Sequence, residues 1–361
     1  MARTIATDRL GRGWPEAALP SRSRVVILGL SICCDPPVRV DGVPLEKRRF
    51  EINAQPPFAF DHILMSLRTP AGTVLEVITD EGEYRRAVYL EGRPALITVR
   101  MDGRATVPRL SVGVTAERVD AAVEASARRT VDRVFAATAD VSGLETVFCQ
   151  DQVMWATWQR CRGFRPVALP DLFEAIAWAI IGQQITVTFA AKCKRALTER
   201  YGERLAVEND EYLLFPKTEV IASLDESDLL ALQFSRQKAR YLVNLARQIV
   251  SGEFDLEALW SLTAEEASQQ LQTLVGIGRW TAEYVLLRGL GHADSIPAGD
   301  VALQRAIGRA YYGRMATEAE VRLLAERWLP WRGYAAVCWW YTQRLDQLTK
   351  KRGPASRSAL D

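Results

Sequence analysis

The sequence predicts an α+β protein in which an antiparallel β-sheet domain with flanking helices precedes a domain that is almost entirely helical. Two patterns of apolar residues carry this prediction: alternation with a period of two over residues 50–114, and a period of 3.6 from about residue 140 onward. A chain of 361 residues is long enough for two or three domains. We therefore expect a poorly structured N-terminal extension over residues 1–48, the sheet domain over 49–140, the helical domain over 141–348 and a polar tail over 349–361.

Strands are predicted by runs in which apolar and polar residues alternate, separated by turns rich in Gly, Asp and Pro. One helix is predicted before these runs, over residues 60–68, and another after them, over 117–137. Before residue 49, glycines and prolines interrupt the apolar runs except at residues 24–34, which predict one strand. The alternating runs are residues 73–79, 84–90, 95–101 and 110–114.

Beyond residue 145, apolar residues recur with the spacing of an amphipathic helix in nearly every segment. We therefore expect this part of the chain to be nearly all helix. The predicted helices cover residues 151–161, 171–201, 227–251, 256–260, 264–273, 279–290, 301–311, 318–327 and 331–346.

Composition excludes several classes of protein. Hydrophobic residues make up 48% and charged residues 25% of the chain, a composition that is typical of globular proteins and excludes a disordered or fibrous protein. The formal net charge of +2 is too small by itself to indicate a protein that binds polyanions. Residues 271–361, however, contain 13 Lys/Arg against 8 Asp/Glu, so the C-terminal quarter is the basic end. The longest apolar run is much shorter than the ~20 residues of a membrane-spanning helix, and we expect neither such a helix nor a secretion signal.

The cysteines form no recognisable framework. They include no CxxC pair and no regular spacing, so neither disulfides, a zinc site nor a four-cysteine iron–sulfur cluster is predicted. Reduced thiols and a cytoplasmic location are expected instead. The six residues are Cys33, Cys34, Cys149, Cys161, Cys193 and Cys338.

The most informative segment is a turn with two glycines between two predicted helices. One helix ends near Leu274, residues 275–278 are Val-Gly-Ile-Gly, and the next helix begins at Arg279. Because Gly276 and Gly278 lack Cβ atoms, a phosphate can approach the free amides at the helix start, where the helix dipole favours its negative charge. Such a hairpin can hold a nucleic-acid backbone without reading bases, although it could also be only a tight turn.

A single acidic residue follows the second helix of this hairpin. Asp300 comes after a Gly/Pro-containing loop and is the only carboxylate between Ser295 and Val301. One role for Asp300 is to cap the helix predicted at Val301, which Asp does well. A capping Asp held in such a loop can also point into a cleft beside the hairpin, so both roles remain open.

Two further segments complete an ordered set of four motifs: residues 172–192, which contain Ile-Gly-Gln-Gln, and the tryptophan-rich residues 328–342. Together with the hairpin and Asp300, they resemble the helix-hairpin-helix (HhH-GPD) DNA glycosylase superfamily, in particular its bacterial 3-methyladenine DNA glycosylase II branch. The resemblance covers about residues 145–346. It implies a helical glycosylase domain and, by fold-level analogy only, a sheet domain similar to the TATA-binding protein.

The resemblance implies that Trp280, Tyr284, Trp340 and Tyr341 line a pocket for a base flipped out of the duplex. Trp280 and Tyr284 are spaced i, i+4 and therefore share a helix face. Aromatic faces suit a cationic alkylated base, with cation–π attraction of about 0.5–2 kcal/mol. Aromatic residues at such spacing can also be ordinary helix core, which is what we expect for Trp328, Trp331 and Trp339.

Position 280 determines the predicted chemistry. In bifunctional members of the superfamily the matching residue is a lysine that attacks C1′ of the sugar, whereas Trp280 cannot form a Schiff base. The resemblance therefore implies a monofunctional enzyme that uses water, leaves an abasic site and acts on bases such as 3-methyladenine and 7-methylguanine in base-excision repair. Asp300 would stabilise the developing sugar cation and orient or deprotonate the water.

The resemblance also implies where DNA is held. Gln184 matches the wedge position, where the nearest branch often has leucine; it could fill the vacated stack or be a surface residue at a helix bend. The other expected DNA contacts of the hairpin are Gly276, Gly278, Arg279 and Thr281. Candidates for further phosphate contacts are Lys238, Arg288, Arg305 and Arg309.

No cofactor is expected to be required. Members of the family tend to bind one monovalent cation, Na⁺ or K⁺, through hairpin carbonyls, which here would belong to Gln272, Leu274 and Ile277. The expected partner is damaged double-stranded DNA, bound by a monomer away from any membrane. Two alternatives remain open: a glycosylase of the same fold for deaminated or oxidised bases, and a non-catalytic DNA-binding protein, which the presence of Asp300 disfavours.

Overall fold

The computed structural model describes residues 44–68, 75–103 and 107–352. These residues form the predicted α+β arrangement, with a five-stranded antiparallel sheet followed by a mainly helical region. The strands of the sheet are β1 (Glu46–Asn53), β2 (Val77–Ile78), β3 (Tyr84–Leu90), β4 (Arg93–Met101) and β5 (Arg109–Ala116), and its helices are α1 (Phe60–Leu67) and α2 (Ala121–Phe135).

The sheet has the strand order β1-β5-β4-β3-β2, and every neighbouring pair is antiparallel. Alternation fixes which side chains are buried: along β5, Leu110, Val112 and Val114 are buried, whereas the residues between them are partly exposed. Helix α2 begins at its cap Asp120 and packs its apolar stripe against this face.

The helical region begins at residue 144. Its helices are α3 (Leu144–Phe148), α4 (Gln152–Gln159), α5 (Leu172–Gly182), α6 (Val187–Tyr201), α7 (Thr218–Ser223), α8 (Glu226–Leu230), α9 (Arg236–Ser251), α10 (Ala264–Gln272), α11 (Arg279–Arg288), α12 (Val301–Tyr312), α13 (Glu318–Ala325) and α14 (Arg332–Arg352), with short 3₁₀ turns at Glu257–Ser261 and Glu326–Trp328.

Two long predicted helices are each interrupted by an internal cap. The helix expected over residues 171–201 divides into α5 and α6 because Thr186 accepts a hydrogen bond from the Phe189 N–H and starts a new helix. The helix expected over 227–251 divides in the same way at Ser235, which caps α9. The prediction of two continuous helices was therefore wrong, and the sequence signal that was missed is a polar cap inside an apolar pattern.

The expectation that the chain beyond residue 145 is nearly all helix also fails at one place. Residues 204–213 form a β-hairpin of β6 (Arg204–Val207) and β7 (Asp210–Leu213). Leu205, Val207 and Tyr212 pack against Ala87 and Leu96, on the face of the sheet opposite to α2. The hairpin therefore covers apolar surface that the sheet would otherwise expose.

The predicted boundaries of the two ends need small corrections. β1 begins at Glu46, so residues 46–48 belong to the sheet and not to the N-terminal extension. At the other end α14 continues to Arg352, into the predicted tail. The strand predicted over residues 24–34, most of the extension, and residues 353–361 lie outside the described residues.

Two large apolar cores organise the described part of the chain, beside the small cluster under the β6–β7 hairpin. The first joins the sheet and α2 to α3, α4 and α12–α14, and the second is built mainly from α5–α11. The first core therefore contains residues from both sides of residue 140, where we predicted the domain boundary. Trp340 packs at the edge of the first core and Tyr284 at the edge of the second, so the predicted site residues lie where the two cores meet. None of the described helices is both long and apolar enough to cross a membrane.

Candidate active site

The glycine turn between α10 and α11 has the geometry that the sequence predicts for close backbone approach. Gly276 has φ +92°, in the left-handed region that favours glycine. A Cβ at this position would lie 2.2 Å from the ring of Tyr241, so any side chain would collide as well. The turn is therefore held in shape by α9, which carries Tyr241.

Gly278 serves a different purpose from Gly276. It is the N-cap of α11, it offers no side-chain hydrogen bond to the first turn, and a Cβ there would meet nothing within 4 Å. The space beside Gly278 is therefore open to a ligand, and the first amides of α11 have no capping side chain. This is the geometry of an anion site at a helix start.

Gln183 connects α5 to this turn, and our sequence reasoning missed it. Its amide donates hydrogen bonds to the Gly276 carbonyl at 2.9 Å and to Thr281 Oγ1 at 3.1 Å. Thr281 is only 3% exposed, so the prediction that it contacts DNA is wrong for its side chain. Thr281 instead positions the hairpin through Gln183.

Asp300 combines the two roles that the sequence left open. Its Oδ1 accepts a hydrogen bond from the Leu303 N–H at 2.8 Å, which caps α12, and a second from Trp340 Nε1 at 2.9 Å. Among the described residues, Oδ2 has no hydrogen-bond partner. One oxygen therefore fixes the carboxylate, and the other is left for a ligand.

Three of the four predicted base-binding aromatic residues come together beside Asp300. The ring centroids of Trp280 and Tyr284 are 5.6 Å apart, and those of Tyr284 and Trp340 are 6.2 Å apart. A further tryptophan, Trp178 on α5, donates a hydrogen bond from Nε1 to Tyr284 Oη at 2.9 Å. All four aromatic residues are only partly buried, and we call the partly exposed region that they form with Asp300 the cleft.

The fourth predicted residue, Tyr341, does not belong to this cleft. It is 3% exposed, its ring stacks on Phe164 at 4.5 Å, and its hydroxyl contacts Met65 Sδ at 3.4 Å. Neighbouring residues on a helix point about 100° apart, and here Trp340 reaches Asp300 whereas Tyr341 points into the first core. The prediction that Tyr341 binds the base is therefore wrong.

The remaining tryptophans of this region are structural, as expected. Trp328 and Trp339 are buried in the first core. Trp331 packs edge-on against Tyr334.

An ion-pair chain lies beside the hairpin and the Asp300 loop. Glu283 accepts two hydrogen bonds from Arg322, at 2.7 and 3.0 Å, and one from Arg279 at 3.1 Å. Arg322 also binds Glu318, whose Oε2 would lie 3.3 Å from a Cβ at Gly299. Arg279 nevertheless keeps 63% of its side chain exposed, so it can reach a phosphate beside the helix start.

Gln184 lies at the bend between α5 and α6. It is exposed and has φ +56°, which is uncommon for a residue with a side chain. Val187 and Phe189, on the first turn of α6, are exposed as well. The bend therefore presents a polar side chain and two apolar ones at the surface, which suits insertion into a nucleic-acid groove.

The structure does not test the prediction that hairpin carbonyls hold a cation. The carbonyl of Leu274 accepts a hydrogen bond from the Ile277 N–H at 3.1 Å, which leaves one lone pair available. Side chains offer no alternative in residues 44–68, 75–103 and 107–352, where no three His, Cys, Asp or Glu residues gather as a metal site. The cation site at Gln272, Leu274 and Ile277 stays a prediction.

Comparison with known proteins identifies the family. Residues 177–330 match the model of the HhH-GPD superfamily base excision DNA repair proteins, and residues 49–170 match the AlkA N-terminal domain. The chain is 31% identical over 299 residues to DNA-3-methyladenine glycosylase 2 of Escherichia coli, an alignment that covers 81% of this chain and 97% of that protein. The chain belongs to the HhH-GPD superfamily. The predicted resemblance is confirmed.

Two further proteins are similar to this HhH-GPD protein, one over part of the chain and one over most of the fold. The DNA-3-methyladenine glycosylase of Bacillus subtilis is 35% identical over 179 residues, which covers 49% of this chain and 59% of that relative. The structure of a 3-methyladenine DNA glycosylase from Archaeoglobus fulgidus superimposes with a TM-score of 0.69 at 25% identity, over 81% of this chain and 97% of that one.

A Clostridium acetobutylicum 8-oxoguanine glycosylase/lyase bound to double-stranded DNA shares the HhH-GPD fold. Its TM-score is 0.67 at 18% identity, over 84% of this chain and 98% of that one. The matched HhH-GPD segment contains Trp178, Gln184, the hairpin and Asp300, whereas Trp340 lies beyond its end. The carboxylate and the ring that holds it therefore come from different parts of the chain.

Proposed function

We propose that this protein is a monofunctional DNA glycosylase that removes alkylated bases of the 3-methyladenine and 7-methylguanine type in base-excision repair. The names of its relatives support the reaction class. The observation that carries the proposal is the Asp300 carboxylate, which is fixed at one oxygen by Trp340 and open at the other, beside the rings of Trp280 and Tyr284.

The cleft supports the following mechanism. A base flipped from the stack would lie against Trp280, Tyr284 and Trp340, and a cationic alkylated ring gains attraction from their faces. As the bond from C1′ to the base breaks, the electron pair leaves with the base and the sugar becomes positively charged. The free oxygen of Asp300 stabilises that charge and takes a proton from the water that adds to C1′. The products are the free base and an abasic sugar.

The lack of strand cleavage rests on position 280. Trp280 lies in the first turn of α11, where the resemblance implies that bifunctional members carry the reactive lysine. Within the described part of the chain, no lysine forms a hydrogen bond, an ion pair or a cation–π contact with Trp280, Tyr284, Trp340 or Asp300. The ammonium of Lys194 lies 5.4 Å from the centroid of the Trp178 ring and is paired with Glu174. Water is therefore the nucleophile that this cleft favours.

Two parts of the protein would hold the DNA: the backbone amides at the start of α11 and the bend between α5 and α6. The open amides beside Gly278 suit a phosphate, and Arg279 is exposed next to them. Gln184 would enter the space that the flipped base leaves and hydrogen-bond the orphaned partner base. Arg305 and Arg309 are exposed one turn apart on α12, at the basic end of the chain. We propose that the protein acts as a cytoplasmic monomer.

A panel of duplexes tests this function. Each duplex contains one lesion, alkylated, deaminated or oxidised, and both free base and strand cleavage are measured, with borohydride added to trap any Schiff base. We expect release of 3-methyladenine and 7-methylguanine, an intact strand with an abasic site, and no covalent protein–DNA adduct. A trapped adduct would contradict the monofunctional mechanism, and release of oxidised bases alone would assign the cleft to the alternative substrate class.

The substitution Gly278→Val tests whether the start of α11 binds a phosphate of the DNA backbone. A Cβ fits at this position without touching the protein, so the variant is expected to fold normally, but valine would occupy the space of the phosphate. We expect affinity for every duplex to fall by about tenfold, which corresponds to one charge-assisted hydrogen bond. Fluorescence anisotropy with damaged and undamaged duplexes measures it, and an effect confined to one lesion would show that the hairpin does not bind the backbone.

A further inference from the structure

The hydrogen bond between Trp178 and Tyr284 joins two helices of the cleft and takes no part in the reaction of water at C1′. We propose that Trp178 is a positioning residue that fixes the Tyr284 hydroxyl as a hydrogen-bond donor to the flipped base, and thereby speeds the release of neutral purines that carry a carbonyl oxygen. This proposal rests on the proposed glycosylase function. The two residues lie on different helices, α5 and α11, and their polar atoms are 2.9 Å apart.

The direction of this hydrogen bond follows from chemistry. An indole N–H can only donate, so the phenol oxygen of Tyr284 must accept. The hydroxyl proton of Tyr284 is then free to donate elsewhere. No other hydrogen-bond partner of Tyr284 Oη occurs among the described residues, and the ring lies between Trp280 and Trp340 in the cleft. A base in the cleft is therefore the natural acceptor for this proton.

Trp178 is itself held by buried charges. Lys194 Nζ lies 5.4 Å from the centroid of the Trp178 ring, and Lys194 pairs with Glu174, one helical turn before Trp178 on α5. A cation over an indole face withdraws electron density and makes the N–H a stronger donor. Hydrogen bonds in a chain polarise one another, so the Tyr284 O–H becomes a stronger donor in turn.

A hydrogen bond from the Tyr284 hydroxyl to the base assists cleavage of the glycosidic bond more for some bases than for others. The leaving base gains the electron pair of the glycosidic bond, so a hydrogen bond to its carbonyl oxygen strengthens as the reaction proceeds. A cationic base such as 7-methylguanine leaves as a neutral molecule and needs little help. A neutral base with the same carbonyl oxygen, such as hypoxanthine, leaves as an anion and depends on the donor.

The test compares these two bases in a double-mutant cycle. Single-turnover release of 7-methylguanine and hypoxanthine is measured for the wild type, Trp178→Phe, Tyr284→Phe and the double variant. We expect each single variant to slow hypoxanthine release about tenfold more than 7-methylguanine release, since one hydrogen bond to a developing charge is lost. Because Trp178 acts through Tyr284, the double variant should be no slower than Tyr284→Phe alone.

The matched control is Trp158→Phe. Trp158 is buried away from the cleft and donates its indole N–H to Glu145 over the same distance, 2.9 Å. Its loss should lower thermal stability but leave the ratio of the two release rates unchanged. If Trp178→Phe does not fold, the proposal still requires that Tyr284→Phe slow the release of hypoxanthine more than that of 7-methylguanine.

Three results would overturn the proposal while leaving the glycosylase function intact: equal slowing of both bases by Trp178→Phe, effects that multiply in the double variant, or a wild type that releases 7-methylguanine but no hypoxanthine. Failure of the wild type to release either base would instead remove the proposed function itself.

Discussion

Replacing Asp300 by asparagine is expected to slow base release by about 10²–10⁴-fold while duplex binding is kept. Asparagine has the same shape and keeps an oxygen for the Leu303 N–H and Trp340 Nε1, so α12 stays capped. What is lost is the negative charge that, in the proposed mechanism, stabilises the sugar cation and accepts the proton of water. Single-turnover release of free base from a 7-methylguanine duplex, with binding measured separately, separates the two effects.

The matched control for this variant is Asp294→Asn in the same loop. Asp294 accepts hydrogen bonds from the Arg332 guanidinium at 2.9 and 2.6 Å and, among the described residues, forms no hydrogen bond with the aromatic residues of the cleft. We expect its release rate to stay within a few-fold of the wild type. Near-wild-type release by Asp300→Asn would remove the assignment of Asp300 as the catalytic carboxylate.

Local sequence patterns predicted the parts of the cleft that depend on local backbone. The Gly-x-Gly turn, the helix start at Arg279 and the cap at Asp300 each follow from the residue types within one or two turns. Trp280 and Tyr284 could be placed on one face because their spacing is helical. Bringing Trp340 to Asp300 needed the family resemblance, since 40 residues separate them.

Tertiary contacts determined what sequence reasoning missed. Trp178 lies in an apolar stretch of α5 that is typical of core, and only the packing of α5 against α11 brings its N–H to Tyr284, 106 residues away. Gln183 was overlooked for the same reason. Tyr341 was misplaced for a related reason, because only its packing against Phe164 and against Met65 of α1 shows that the ring is buried.

The second large effect is expected from Glu174→Gln, which we predict to lower the free energy of unfolding by about 3–5 kcal/mol. Glu174 is 2% exposed at its side chain and binds Arg86 of β3, itself 1% exposed, together with Lys194 of α6. Glu76 completes the cluster through Arg86. Neutralising Glu174 leaves two buried cations with one carboxylate, which costs more than a missing hydrogen bond. Thermal unfolding should show a midpoint several degrees lower.

A surface pair provides the control for Glu174→Gln. Arg204 and Glu211 approach to 2.6 Å in the β6–β7 hairpin, but both are substantially exposed, so Glu211→Gln should change stability by less than about 1 kcal/mol. Removing both charges of the buried pair, in Arg86→Met with Glu174→Met, leaves Lys194 and Glu76 in balance. This double variant is expected to lose less stability than Glu174→Gln alone.

The effect of Glu174→Gln should depend on pH in a defined direction. Burial alone would raise the pKa of Glu174 and Glu76, but the charges of Arg86 and Lys194 outweigh it, so the pKa of Glu174 is lowered and that of Glu76 falls to about 2. Carboxylates with a depressed pKa stabilise the fold fully above the unfolded value of 4.5, and this contribution is lost as the pH falls towards 2.

The stability gap between the wild type and Glu174→Gln should therefore be constant near neutral pH and narrow below about pH 4.5, because the unfolded wild-type chain then binds a proton at Glu174 that the folded protein, with its lowered pKa, does not yet bind. A gap that is the same at pH 7 and pH 3 would mean that packing, not charge, makes Glu174 important. Because Glu174 also anchors Lys194 behind Trp178, the variant should shift the ratio of hypoxanthine to 7-methylguanine release in the same direction as Trp178→Phe. The buried charges would then set both the stability of the contact between sheet and helices and the hydrogen bonding in the cleft.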